Sequence, residues 1–351
     1  MSSREVIDFR SDTVTVPTVE MLEAIRNAEL GDDVFEEDPT VNRLERLSAE
    51  KMGKEDALLV TSGTQANLIS LMGNANCGEL VILEAESHMY WYEVGGISRI
   101  AGLLPWPLKS LAGAFDPVEL EAEIHPQNIH FPKPALICLE NTHNRHGGTI
   151  ITPDQIQAIS EVSHSHDLKL YLDGARIFNA AVALKVDVKE FAKHVDNLMF
   201  CLSKGLCCPV GSVLVGTHEF IKKARKLRKI LGGGMRQAGI IAAPGIVALE
   251  SMVDRLEEDH INARRLAEGI VKINGIQIDM NHVQTNMVCF DVNGLRTTAE
   301  FFISRLKQKN ILALALTESK IRMVTHNGIE KEHVEKSIAA IESISSKLQS
   351  K

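Results

Sequence analysis

Six short apolar runs punctuate the first two thirds of the chain: ALLVT (57–61), LVILE (80–84), ALICLE (135–140), LKLYLD (168–173), NLMFCL (197–202) and GSVLVG (211–216). Each has strand length and lacks the alternation of a sheet with one wet face, so each is predicted to be a strand buried on both sides. Between them lie stretches of helical period, including ANLISLMGNA (66–75) and PDQIQAISEVSHSH (153–166). The second has Thr152 as a natural N-cap and Pro153 at the first helical position. Strand and helix alternate, which predicts an α/β fold with a mostly parallel sheet flanked by helices. From about residue 246 the pattern changes to one long charged amphipathic helix, IVALESMVDRLEEDHINARRLAEGIVKI. NMVCFDV, a helix near 298–309, IRMVTH and a terminal helix follow, the pattern of a smaller α+β unit. The expected division is therefore 1–245 for an N-terminal segment with the large domain and 246–351 for the small domain. No repeat, low-complexity tract or Gly/Ser linker separates them.

Composition sharpens this picture. A chain of 351 residues with 44% hydrophobic and 24% charged positions can fill both cores. Its net charge of −8 offers no field to attract nucleic acid or an anionic membrane, and neither is expected as a partner. The six cysteines form no C-x-x-C pair and mostly sit in apolar runs, so buried reduced thiols are expected. The opening MSSREVIDFRSD lacks a basic stretch followed by an apolar one, and no run reaches the roughly 18 apolar residues of a membrane span. A cytoplasmic location is the expectation.

Three strand ends carry candidate chemistry. In TSGTQAN (61–67), Ser62, Gly63 and Thr64 lie where a strand passes into a helix, so free amides and two hydroxyls could cradle a phosphate; an ordinary N-cap is the simpler alternative. In YLDGAR (171–176), Asp173 closes an apolar strand, either as a ligand-facing carboxylate or as a cap. In FCLSKGL (200–206), Lys204 follows a buried strand, either as an amine tuned for imine formation or as a snorkelling lysine. Asp173 and Lys204 stand 31 residues apart, the length of one strand-helix-strand crossover, so both would emerge on one sheet edge. Pyridoxal 5′-phosphate (PLP) asks for such a set: an amine, an anion against its pyridine nitrogen and a phosphate site. The glycine motifs of nicotinamide and nucleotide cofactors do not occur.

The chain resembles the threonine aldolase family of fold type I PLP enzymes nearly end to end. The blocks that carry the resemblance are FRSDTVT (9–15), GDDVFEEDPTVN (31–42), SGTQAN (62–67), ESHMYWYEVGG (86–96), CLENTHN (138–144), LDGARIFNAAVAL (172–184), LSKGLCCPVGSVLVG (202–216), LGGGMRQAG (231–239) and RMVTH (322–326). The resemblance implies that Lys204 binds the cofactor covalently and that Asp173 keeps its pyridine nitrogen protonated. It puts Arg176 beside the phenolic oxygen, with Gly63, Thr64 and Ser203 at the phosphate. His88 would stack on the ring, and Arg322 with Ser11 would anchor the substrate carboxylate. His88 and His143 would meet the substrate's β-hydroxyl region. Lys229 and Arg236 would reach the phosphate of a neighbouring subunit's cofactor, making the active site a shared one in a homotetramer. Read without the family, the six basic residues between 222 and 229 suggest a solvated helical face or a small nucleic-acid patch.

The implied reaction splits a β-hydroxy-α-amino acid such as threonine into glycine and an aldehyde. The base that takes the hydroxyl proton is open among His88, His143 and a water held by Glu93. His143 and His146 have a metal-like spacing but no matched acidic or cysteine partner, so no metal is expected. Two departures stand out: Phe35-Glu36 where the family usually has Tyr-Gly, and Cys207-Cys208 where it usually has Gly-Ala. They keep open a β-elimination or racemisation on another β-substituted amino acid. A non-catalytic regulator would normally need an added DNA-binding module, for which no residues are left.

Overall fold

A computed structural model describes residues 6–126 and 128–350; the first five residues of the opening segment lie outside it. Its centre is a seven-stranded sheet: β1 (Asp56–Val60), β2 (Leu80–Glu84), β3 (Leu104–Leu108), β4 (Pro134–Glu140), β5 (Lys169–Asp173), β6 (Asn197–Cys201) and β7 (Ser212–Gly216). The spatial order is β1-β7-β6-β5-β4-β2-β3, and only β7 runs against the others. All six apolar runs are strands of this sheet. Alternate residues serve two cores: Leu59 packs on one face with the helices Pro39–Met52 and Ile177–Leu184, while Leu58 and Val60 pack on the other with the helix Gly63–Asn74. Burial on both faces removes the polar alternation.

The missed strand is β3, LPWPL. It pairs only with β2, at the sheet edge. Its amides at Leu104 and Trp106 face β2, while Pro105 and Pro107 put their missing N–H groups on the open side, where no ladder bond is lost. The Pro153 helix begins as predicted, with Thr152 and Gln155 forming a reciprocal capping box.

The second core is built on the antiparallel strands Met287–Asp291, Leu314–Ala315 and Lys320–Val324, covered by the helices Leu256–Ile270, Ala299–Lys307 and Lys331–Gln349. Ile7 and Phe9 belong to this core, because Ile7–Asp8 pairs with Ile311–Leu312. Ile246, Ala248, Leu249, Met252 and Leu256 instead pack in the first core. The two cores thus meet within the helix Leu256–Ile270 rather than at 245/246, and we propose that helix as the boundary. The single long helix expected from 246 is also broken: a π-turn over Ala248–Met252 follows the helix Gly239–Val247, and helix resumes at Leu256. Of the cysteines expected to be buried, Cys77 is exposed and Cys289 half-buried; none is disulfide-bonded.

Both departures from the family pattern fall on left-handed backbone, Glu36 at φ 61° and Cys207 at φ 65°. A side chain there costs about 1–2 kcal/mol, less the entropy a glycine would lose. Glu36 is exposed, and its only ion pair among the described residues is a 3.7 Å contact with Arg225. Glu36→Gly should therefore raise unfolding stability, by about 0.5–1 kcal/mol, measurable by denaturant titration.

Candidate active site

Since β1, β2, β4, β5 and β6 run the same way, their carboxyl ends share one edge, and the predicted residues gather there. Beyond β1, Ser62 caps the helix Gly63–Asn74 by accepting from Gln65 N. A Cβ at Gly63 would lie 2.6 Å from Met199 Cε and 3.2 Å from Cys201 Sγ, so glycine lets this helix start close against β6 without displacing either side chain. Free amides near Thr64 then face the edge. Lys204 and Ser203, just past β6, are half-buried. The Lys204 amine hydrogen-bonds to nothing among the described residues, while its charge acts on both Asp12 and Asp173.

Asp173 is 2% exposed and accepts from Asn67 Nδ2 at 2.9 Å and Ala175 N at 3.1 Å. Burial and the neighbouring Glu140 push its carboxyl above the usual range despite His88 and Lys204. A buried carboxylate in that state favours a further cationic partner. Glu140, at the end of β4, accepts the His88 amide at 2.6 Å and the Asn144 amide at 2.8 Å. His88 Nδ1 lies 2.9 Å from Glu93 Oε1, and donor atoms of His88, Glu93 and Asp173 all fall within 4.8 Å of one another. Burial would lower the His88 pKa, but the Glu93 bond and the charges of Asp173 and Glu140 outweigh it and raise it.

Two arginines lie nearby, and only one of them bonds a carboxylate among the described residues. Arg176 donates from Nε and Nη2 to the two oxygens of Asp12, each at 2.7 Å, with both residues buried. Burial would raise the Asp12 carboxyl; Arg176 instead holds it well below the carboxylate range. Arg176 is thus a tether of the N-terminal segment, a role the sequence did not reveal. Ser11 caps the turn Asp12–Val14, accepting from Thr13 N at 3.2 Å. Arg322 is 7% exposed, donates to Asn144 Oδ1 at 2.6 Å and Arg10 O at 3.3 Å, and has a buried Nε with no partner among the described residues. Burial and Arg176 both lower its pKa, the mark of a cation short of an anion.

His143 does not join His88. Its ring is fully buried, with Nε2 at 2.9 Å from Glu84 Oε2, and His146 Nε2 lies 3.3 Å from Glu84 Oε1. Glu84 is the acidic partner that the sequence lacked, and the three donors lie within 4.8 Å. The same carboxylate also accepts Glu86 N at 2.6 Å and Ser110 Oγ at 3.1 Å, so hydrogen-bond donors occupy both oxygens twice. The cluster pins the loop that carries Asn144 to Arg322.

Comparison with known proteins fits this geometry. The profile of the beta-eliminating lyase family matches residues 8–293. The chain is 45% identical over 333 residues to low-specificity L-threonine aldolase 1 of Arabidopsis thaliana, covering 93% of each. It is 41% identical over 330 residues to low specificity L-threonine aldolase of Escherichia coli K12, covering 94% of this chain and 96% of the other. The chain belongs to the threonine aldolase family. A solved Leishmania major threonine aldolase shares the fold at a TM-score of 0.83, 20% identity and 97% and 99% coverage.

In this threonine aldolase-family chain, Lys229 and Arg236 stand apart from the edge residues. Lys229 is exposed on the helix His218–Ile230, and Arg236 pairs with Asp32 at 2.9 Å. That helix is the solvated face expected at Lys222, Lys223, Lys226 and Lys229, which are exposed, but its two arginines turn inward: Arg228 is buried on Asp33 and Leu59 O, each at 2.7 Å, and Arg225 pairs with Glu45 at 3.0 Å. Asp12, Asn67, Glu84, Glu140, Asn144 and Tyr171 were not singled out from sequence. Asp12, Asn67, Glu140 and Asn144 lie in blocks already quoted as aldolase-like, and Glu84 and Tyr171 lie in quoted strand runs, so a polar residue inside an apolar or motif run was the available signal.

Proposed function

We propose that the chain cleaves L-threonine and L-allo-threonine, as β-hydroxy-α-amino acids, to glycine and an aldehyde with PLP as cofactor. The observation that carries this reading is the convergence of Lys204 and Asp173 on one sheet edge beside the unpaired guanidinium nitrogen of Arg322. The residues fit the cofactor: a half-buried amine without a partner, a buried carboxylate pushed upward for want of a cation, and a helix start at Gly63. When bound, PLP supplies an electron sink for the pair released as the Cα–Cβ bond breaks.

The protein's part is orientation and proton transfer. Lys204 holds the cofactor and Asp173 faces its pyridine nitrogen, with Ser62, Gly63, Thr64 and Ser203 at the phosphate. Arg322 takes the substrate carboxylate in a planar fork, which sets the Cα–Cβ bond in the reactive direction. Arg176 supports that site through Asp12. His88 takes the β-hydroxyl proton; with Nδ1 directed to Glu93, Nε2 is left to receive it. His143 acts from behind by fixing the Asn144 loop. Lys229 and Arg236 of one subunit complete the neighbour's phosphate site in a cytoplasmic homotetramer, a reading supported by their exposure away from their own edge.

Neutral His88 is the active form on this account, and Glu93 stabilises the charged form. The acid limb of kcat/KM against pH should therefore lie above the ordinary histidine range, and Glu93→Gln should move it to lower pH. A limb unmoved in that variant removes His88 as base. The function itself is tested by incubating the holoenzyme with each threonine diastereomer. Aldol cleavage releases acetaldehyde and glycine; β-elimination would instead release ammonia and a 2-oxo acid.

A further inference from the structure

We infer that Asn67 is a positioning residue: its amide, braced by Tyr171, holds the Asp173 carboxylate in place to pair with the cofactor's pyridine nitrogen. The inference rests on the cofactor placement proposed above and extends it to residues with no role so far. Asn67 lies on the inner face of the helix Gly63–Asn74, is 1% exposed, and has both ends of its amide engaged. Nδ2 donates to Asp173 Oδ2 at 2.9 Å and to Glu93 Oε1 at 2.7 Å, while Oδ1 accepts from Tyr171 Oη at 2.7 Å.

The two carboxylates decide which way the amide points, and Tyr171 meets its other end. Tyr171 is fully buried, and burial together with the charge of Asp173 pushes its phenol well above the ordinary tyrosine range. The Asp173 and Glu93 carboxylates, as anions, only accept, so the NH2 of Asn67 faces them, and its oxygen is left to accept from the protonated Tyr171 hydroxyl. A flipped amide would set its oxygen against two anions. Tyr171 and Asp173 lie two positions apart on β5, so the same strand presents the carboxylate and fixes the group that steadies it.

The amide also answers an electrostatic problem. Asp173 and Glu93 are both buried, and Glu93 is among the groups that push the Asp173 carboxyl upward. Without the bridging NH2 the two carboxylates face each other directly, and protonation of Asp173 becomes easier. A neutral Asp173 can no longer favour a protonated pyridine nitrogen.

The test compares binding of two ligands to the full-length apoprotein: PLP, and its analogue with carbon in place of the pyridine nitrogen. Wild type should prefer PLP. Asn67→Ala should weaken PLP binding by about tenfold or more, the weight of a hydrogen bond to a charged group, and leave the analogue's binding unchanged. Tyr171→Phe, which removes one hydroxyl and keeps the ring, should weaken PLP binding selectively in the same direction and serves if the alanine variant fails to fold. A preference for PLP retained in full by both variants overturns the inference while leaving the Asp173 assignment standing. A preference lost only in Asn67→Ala overturns the part given to Tyr171. A wild type with no preference overturns the Asp173 pairing and the inference with it.

Discussion

Lys204→Ala should lower threonine cleavage by at least about three orders of magnitude, since it removes both the covalent hold on the cofactor and an amine placed to move protons at Cα. The fold should survive the change. Lys204 is half-buried, its amine bonds to nothing among the described residues, and the contacts that fix its loop run through its backbone. Thr15 Oγ1 and Cys207 N both donate to Lys204 O at 2.9 Å, and neither bond needs the side chain. Circular dichroism should match wild type while acetaldehyde release falls. Activity within tenfold of wild type would remove Lys204 from the reaction.

Arg322→Ala should act differently, on binding. Arg176 and Arg322 are two buried guanidiniums, and Asp12 answers the first with both oxygens. Arg322 keeps only neutral acceptors, Asn144 Oδ1 and Arg10 O, and one unpaired nitrogen. The carboxylate of an amino acid supplies the missing anion. Losing one partner of such a buried charged pair costs about 2–5 kcal/mol, so kcat/KM should fall by about two to three orders of magnitude. Most of the loss should appear in KM. An unchanged KM would place the substrate carboxylate elsewhere. Asn144→Ala, which only frees the guanidinium to turn, should show a smaller loss of the same kind.

The strand ends made much of this site legible. A run such as NLMFCL followed by Ser-Lys-Gly tells where a buried strand stops and an ionisable group begins, and parallel strands place such stops on one edge. Lys204, Asp173 and the Ser62-Gly63-Thr64 turn were readable for that reason. β3 was not, because Pro105 and Pro107 argue against a strand until its edge position is known. The Asp12 to Arg176 tether joins residues 164 positions apart, and no local pattern reports such a partner. Glu84, His143 and His146 show the reverse. The H-x-x-H spacing was visible, but the carboxylate that holds both rings comes from the end of β2, 59 positions before His143. The basic run after 222 was legible for its four exposed lysines but not for Arg228, because charge pattern alone cannot show that this one turns inward to Asp33.

Glu36 and Cys207 stand out in the sequence as departures from the family pattern, and their backbone gives them a further meaning. Each holds a left-handed conformation that the family's usual glycine would adopt without strain. Cys207 is fully buried three residues after Lys204, and its amide closes the turn on Lys204 O. A strained turn next to the cofactor lysine is a constraint on where that lysine can point.

The central claim is that Lys204 carries the cofactor. The direct measurement is borohydride reduction of the PLP-loaded wild type, followed by proteolysis and mass spectrometry of the phosphopyridoxyl-labelled peptide. The account predicts a single label on Lys204, in the peptide containing FCLSKGL. A label on another lysine, or none on Lys204 in protein shown to be PLP-loaded, would contradict it.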